Sequence, residues 1–169
     1  MIRELAKKIS TFGQFVDCVI IELTFRRGNF SDGTEVLKVH SSMVLLRASS
    51  DDAEIVIKMI RPRQKISAAL GCRIQSAEKI WRVFTATEIF EFVNSVDDKN
   101  KIHRINPPIV PALLILETLL SDAEFSTVDG LKLKFRNFVT ADEPLSLFGD
   151  GKFFNLMSAG ERKVTGEIL

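Results

Sequence analysis

The chain is poor in the residues that staple, span or ligate. It has two cysteines, Cys18 and Cys72, in 169 residues. They lack metal-type spacing and both sit in apolar contexts, so they read as reduced core residues of a cytoplasmic protein. No apolar run reaches the ~18 residues that a bilayer-spanning helix needs. Residues 1–15 alternate charged and apolar positions and lack the apolar centre of a signal peptide. An excess of one charge is also missing. The net charge of +1 argues against a nucleic-acid partner bound by bulk electrostatics. There is no glycine-rich phosphate loop, metal-ligand cluster, serine-nucleophile motif, internal repeat or low-complexity segment. The expectation is a protein that uses no metal, no cofactor, no nucleic acid and no membrane.

An apolar fraction of 46% and 13 phenylalanines are present instead, enough to fill the core of a single domain spanning residues 1–169. Residues 3–10 suit a short helix, with Leu5 and Ile9 four apart. Val19, Ile21, Leu23 and Phe25 then alternate with the positions between them, which is strand periodicity. Gly28 to Gly33 is a turn cluster. A second strand is expected over 36–47 and a third over 55–60, closed by Pro62, the three forming an antiparallel meander. Residues 62–78 suit either a weak helix over 65–70 or a loop crossing to further strands.

Ile80 to Phe84 reads as a strand. Thr85 with Glu88 three residues on is a capping box. Ile89, Phe92, Val93 and Val96 follow at the spacing of an amphipathic helix. Near the end of the chain, Leu131, Leu133 and Phe135 alternate with Lys132, Lys134 and Arg136. Residues 145–148, 152–157 and 162–168 look like three more strands, with turns at Gly149–Gly151 and Gly160.

Most of the chemical information lies in residues 96–120, VDDKNKIHRINPPIVPALLILETLL. A charged turn carries Asp98, Asn100 and His103, and three of the five prolines, Pro107, Pro108 and Pro111, follow. Proline suits the first position of a helix, so a helix is expected from about Pro111. Leu113, Leu114, Ile115, Leu116, Leu119 and Leu120 cover nearly its whole circumference, as on a buried helix. Glu117 interrupts them, and a carboxylate there must be paired, neutralised or used.

From His103, HRINPPIVPALLILE resembles the H-F-P-x-x-P-x-x-P-G-V-L-x-x-E signature of the β-hydroxyacyl-ACP dehydratases, proteins of the hotdog fold. Upstream, DKNKIH is similar to the D-x-N-P-x-H motif of the MaoC-like R-specific enoyl-CoA hydratases, a branch of the same fold, and the two patterns share His103. KFRNFVTADEPL is also similar to a strand-and-turn stretch common in MaoC-like proteins. The chain departs from these patterns at Lys101, Ile102, Arg104-Ile105 and Ala112. The resemblance covers about residues 80–169.

It implies an α+β hotdog fold, an antiparallel sheet wrapped around one long buried helix. Residues 79–169 would be its core, with 1–78 adding strands or a degenerate second half. It further implies dehydration of 3-hydroxyacyl thioesters to trans-2-enoyl thioesters, or the reverse hydration, by a homodimer or higher oligomer acting on acyl-ACP or acyl-CoA. His103 would be the base. The acid would be Glu117, facing the histidine of a partner subunit, or Asp98 within the same chain. The short connection from His103 to the helix favours Glu117. Asn100 would support the turn, and Pro111, Ala112 and Leu113 would bind substrate at the start of the helix, where the free N–H groups of Ala112 and Leu113 meet the thioester carbonyl. Lys99, Lys101 and Arg104 crowd the entrance to that site and suit either the reception of an acidic carrier protein or a coenzyme A phosphate, or simply a solvated charged loop. Two rivals stay open: an acyl thioesterase of the same fold, and a non-catalytic acyl-binding subunit in which the departures mark a decayed site.

Overall fold

Strand periodicity, with helices only where apolar residues recur every three or four positions, sets the architecture. A computed structural model of the chain describes residues 1–62 and 79–169. The strands are β1 (Val19–Arg27), β2 (Gly33–Val39), β3 (Met43–Ser50), β4 (Ala53–Ile60), β5 (Ile80–Val83), β6 (Gly130–Phe135), β7 (Pro144–Gly149), β8 (Phe153–Ser158) and β9 (Glu161–Ile168). They form one antiparallel sheet in the order β2-β3-β4-β1-β6-β9-β8-β7-β5. The helices are α1 (Ile2–Ser10), α2 (Ala86–Ser95) and α3 (Ala112–Ser121). The choice between helix and loop over 65–70 lies outside the described residues, as does Cys72.

The expected strand over 36–47 is two strands. His40 and Met43 exchange backbone hydrogen bonds of 2.8 and 3.3 Å, closing a hairpin between β2 and β3. β2 is an edge strand with no buried side chain, so its sequence carries little alternation. The pairing of the first strands also differs from a simple meander. β2, β3 and β4 follow one another, and β1 then adds to the far side of β4 and joins it to β6. The N-terminal strands and the remaining strands thus share one continuous sheet.

α2 begins as its sequence dictates. Thr85 Oγ1 accepts from the Glu88 N–H at 3.2 Å, and the Glu88 carboxylate accepts from the Thr85 N–H at 2.8 Å. α3 is buried through Leu113, Leu114, Ile115, Leu116, Leu119 and Leu120. It spans ten residues, no more than α2, and Pro111 is its N-cap, so the central helix is buried but short.

Gly166 on β9 shows how tightly the sheet face is filled. A Cβ there would lie 2.0 Å from Cζ of Phe154, whose ring packs on that of Phe125 at 4.7 Å. Both rings are buried, so neither can swing aside freely. Gly166→Ala is expected to lower unfolding stability by about 1–3 kcal/mol through overpacking. A thermal melt checks this, and an unchanged midpoint would contradict the packing described.

Candidate active site

α2 ends so as to aim the next residues inward. Asp97 takes a left-handed backbone conformation at φ 55°. The Asp97 N–H donates to the Asn94 carbonyl at 3.4 Å, and the Asp98 N–H to the Val93 carbonyl at 3.0 Å. This is a Schellman ending with aspartate where glycine is commoner. Asp98 Oδ1 then accepts from the Asn100 N–H at 2.8 Å. The Asn100 side chain caps a short 3₁₀ turn, Lys101–Arg104, by accepting from the Ile102 N–H at 3.2 Å. Its Nδ2 donates to the Cys18 carbonyl at 2.9 Å, tying the turn to the start of β1. Arg104 Nη2 braces the outside through Asn94 Oδ1 at 3.2 Å and the Asp98 carbonyl at 3.4 Å.

One turn of 3₁₀ helix carries His103 into the interior, where it is 7% exposed. Its Nδ1 lies 2.7 Å from the Ile109 carbonyl oxygen. A carbonyl can only accept, so Nδ1 carries the proton and Nε2 of the neutral ring presents a lone pair. The Ile109 N–H in turn donates to the Ile102 carbonyl at 3.2 Å. The residues on either side are pinned by Val110 N–H to the Val139 carbonyl (2.8 Å) and Ala141 N–H to the Pro108 carbonyl (2.9 Å). The ring orientation is therefore fixed by backbone. Nε2 faces Asp98 Oδ2 at 3.5 Å, a gap too long for a direct hydrogen bond.

Burial is the main influence on His103 and holds its pKa below the ordinary histidine value. The negative charge of Asp98 and the bond to Ile109 oppose that shift, and Arg104 adds to it. The folded chain therefore favours the neutral ring. The unfolded chain takes up a proton near pH ~6.5. As pH falls from about 6.5 towards the folded pKa, the unfolded state binds more protons and stability is lost, whereas above that range the contribution is complete. Denaturant titrations between about pH 7 and 5 should show a shallower acid-side slope in His103→Gln than in the wild type. Equal slopes would contradict a neutral, buried His103.

His103 and Asp98 open onto a cavity of about 430 Å³ that Asn100, Pro111, Ala112 and Leu113 also line. The N–H groups of Ala112 and Leu113 begin α3 and have no acceptor among the described residues. Apolar side chains from several elements form most of the remaining wall, including Phe12, Phe15, Leu46 and Met59. The structure thus brings Asp98, Asn100, His103 and the start of α3 together. Glu117 sits elsewhere: its carboxylate faces Arg3, with Arg3 Nε 3.0 Å from Oε1. No residue pattern in the sequence foreshadows the parts played by the Ile109 carbonyl or by Phe12 and Phe15. Among the described residues no cluster suited to a metal ion is found, and no helix there is long and apolar enough to cross a membrane.

No family model matches the sequence, and no curated protein matches it. Solved structures do match. HtdX from Mycobacterium tuberculosis superposes with a TM-score of 0.67 at 16% identity, covering 99% of this chain and 86% of that one. A MaoC domain protein dehydratase from Chloroflexus aurantiacus gives 0.58 at 8% identity, covering 99% and 80%. An acyl-ACP thioesterase from Bacteroides thetaiotaomicron gives 0.51 at 13% identity, covering 98% and 82%. Among the described residues the nine-stranded antiparallel sheet with its three helices is a hotdog fold, of the kind these proteins share. Identities this low speak for the fold and not for the reaction.

Proposed function

We propose that the protein is a lyase that adds water to trans-2-enoyl thioesters, or removes it from 3-hydroxyacyl thioesters, with His103 and Asp98 as the reacting pair. The observation that carries this reading is the free lone pair on His103 Nε2, 3.5 Å from Asp98 Oδ2, in an apolar cavity beside two N–H groups that have no acceptor among the described residues. In the hydration direction a water between the two groups gives a proton to Nε2 while its oxygen bonds to C3. The electrons of the C2–C3 double bond move towards the thioester oxygen, where the Ala112 and Leu113 N–H groups at the positive end of α3 receive the charge. The imidazolium then returns the proton to C2. Dehydration is the same path reversed. Asp98 orients the water and steadies the brief positive charge on the ring, while burial makes that ring ready to release its proton again.

This pairing differs from the one that the short connection to the helix favours in the sequence. Asp98 lies on the same chain as His103, so the acid–base work needs no glutamate from a second subunit. A decayed, purely acyl-binding site would have no reason to keep the ring buried, oriented and within one bridging water of a carboxylate. A homodimer, an acyl-ACP or acyl-CoA substrate, and carrier contacts at Lys99, Lys101 and Arg104 complete the proposal.

The test is to follow a trans-2-enoyl thioester with a thiol reagent present. The proposal expects the conjugated enoyl absorbance to fall with no thiol released. Thiol release with the double bond intact would replace it with a thioesterase.

A further inference from the structure

Residues from distant parts of the chain meet in one cavity. The His103–Asp98 pair and the start of α3 border it, and so do Ala6 and Ile9 of α1 and the Phe12–Phe15 turn that follows. The two phenylalanine rings lie 6.4 Å apart, tilted by 39°, and both are half-buried against the core. Ser10 is the one polar side chain that α1 adds to this wall, and its hydroxyl is already spent on the Ala6 carbonyl at 3.0 Å. The wall therefore offers a substrate hydrocarbon contact and little else. A cavity of about 430 Å³ is more than a crotonyl or butyryl group can fill, and unfilled apolar wall forgoes both burial and dispersion.

α1 is held at both ends. Arg3 grips Glu117 on α3 with two prongs, Nε to Oε1 at 3.0 Å and Nη2 to Oε2 at 3.2 Å. It also reaches Ser95 Oγ at 3.4 Å and lies 5.6 Å above the centre of the Phe92 ring on α2. At the other end Lys8 Nζ donates to the Ser49 carbonyl at 2.8 Å and pairs with Asp32 and Glu4. Ile2, Leu5 and Ala6 are buried beneath. Glu117 sits on the same rigid helix whose first N–H groups would receive the thioester. The Arg3–Glu117 contact therefore fixes the apolar wall relative to the reacting atoms.

We propose that α1 and the Phe12–Phe15 turn select the acyl chain, held in register by the Arg3–Glu117 clamp, and that the substrate is a fatty acyl thioester long enough to reach them. The proposal rests on the lyase reading above and deepens it. Glu117 is in this account a positioning residue that acts through α1.

The experiment compares kcat/KM for decenoyl and crotonyl thioesters in the wild type and in wall and clamp variants. Ile9→Trp shrinks the cavity and is expected to lower the decenoyl-to-crotonyl ratio about tenfold or more, in line with what one or two methylene contacts contribute to discrimination. Arg3→Gln leaves crotonyl turnover at the wild-type level and lowers the ratio by roughly threefold, the modest scale of a partly exposed ion pair. Glu117→Gln gives the same change in ratio. The double variant is no worse than either single one, because both remove the same contact, and Arg3→Glu with Glu117→Arg restores the ratio. An unchanged ratio in Ile9→Trp, or loss of crotonyl turnover about a hundredfold or more in Glu117→Gln alone, would overturn the proposal.

Thermal stabilisation by decenoyl-CoA and crotonyl-CoA provides a readout that needs no turnover. If the wild type transforms no thioester, the lyase reading fails, and stabilisation decides the selectivity claim by itself. Stabilisation by the longer chain alone, lost in Ile9→Trp, upholds it. Equal stabilisation by both ligands in both proteins refutes it.

Discussion

His103→Gln is expected to lower hydration of trans-2-enoyl thioesters by about 10²–10⁴-fold, the range that a general base contributes. Glutamine keeps a polar group near the Ile109 carbonyl, so the loss in stability should be small, about 1 kcal/mol. Circular dichroism and a thermal melt separate a missing base from a missing fold. KM should change little, since in the proposed mechanism the ring meets the reacting carbons and not the acyl chain or the carrier. Wild-type turnover in a folded His103→Gln protein would remove the mechanism.

Asp98→Asn has the second large effect, and its sign can be worked out at two levels. In the proposed mechanism the carboxylate orients the water and offsets the positive charge that His103 acquires. Its loss should cost about 10²–10³ in kcat. The same negative charge opposes the burial that holds the His103 pKa down. Removing it therefore lowers the pKa further, so the ring stays neutral to a more acidic pH. Proton NMR reads this directly, because the sequence has only one other histidine, the exposed His40. A His103 titration that moves upward in Asp98→Asn, or does not move, would show that the two groups do not interact as the geometry implies.

How much of this the sequence disclosed depends on the range of the interaction. Local signals read well. The Thr85–Glu88 box, the amphipathic run after it and the apolar circumference of 113–120 are set by neighbours within a few residues. The structure has helices at both places. Asp98, Asn100 and His103 are likewise brought together locally, by one turn and one short 3₁₀ segment, so their proximity follows from their spacing. The hairpin at His40–Met43 was not legible, because its turn has neither glycine nor proline and its first strand is an exposed edge.

Long-range partners were not legible at all. Glu117 reads as a carboxylate stranded on a greasy helix, which points to catalysis, yet its counter-ion Arg3 lies 114 positions away. Periodicity and spacing cannot register such a contact. Phe12 and Phe15 lie between a short helix and the first strand, in a segment without a repeating pattern, and only the packing of α1 brings them to the cavity. The backbone groups that set the site's chemistry are equally silent in sequence. The Ile109 carbonyl chooses the tautomer of His103, but any residue at position 109 would supply a carbonyl.

The structure of the protein with a trans-2-enoyl or 3-hydroxyacyl thioester bound tests the central claim most directly. C3 of the ligand should face the His103 Nε2–Asp98 Oδ2 pair across one water position, and its thioester oxygen should lie within hydrogen-bonding reach of the Ala112 and Leu113 N–H groups. A ligand whose reacting carbons lie away from His103, or whose carbonyl turns from the start of α3, would contradict it.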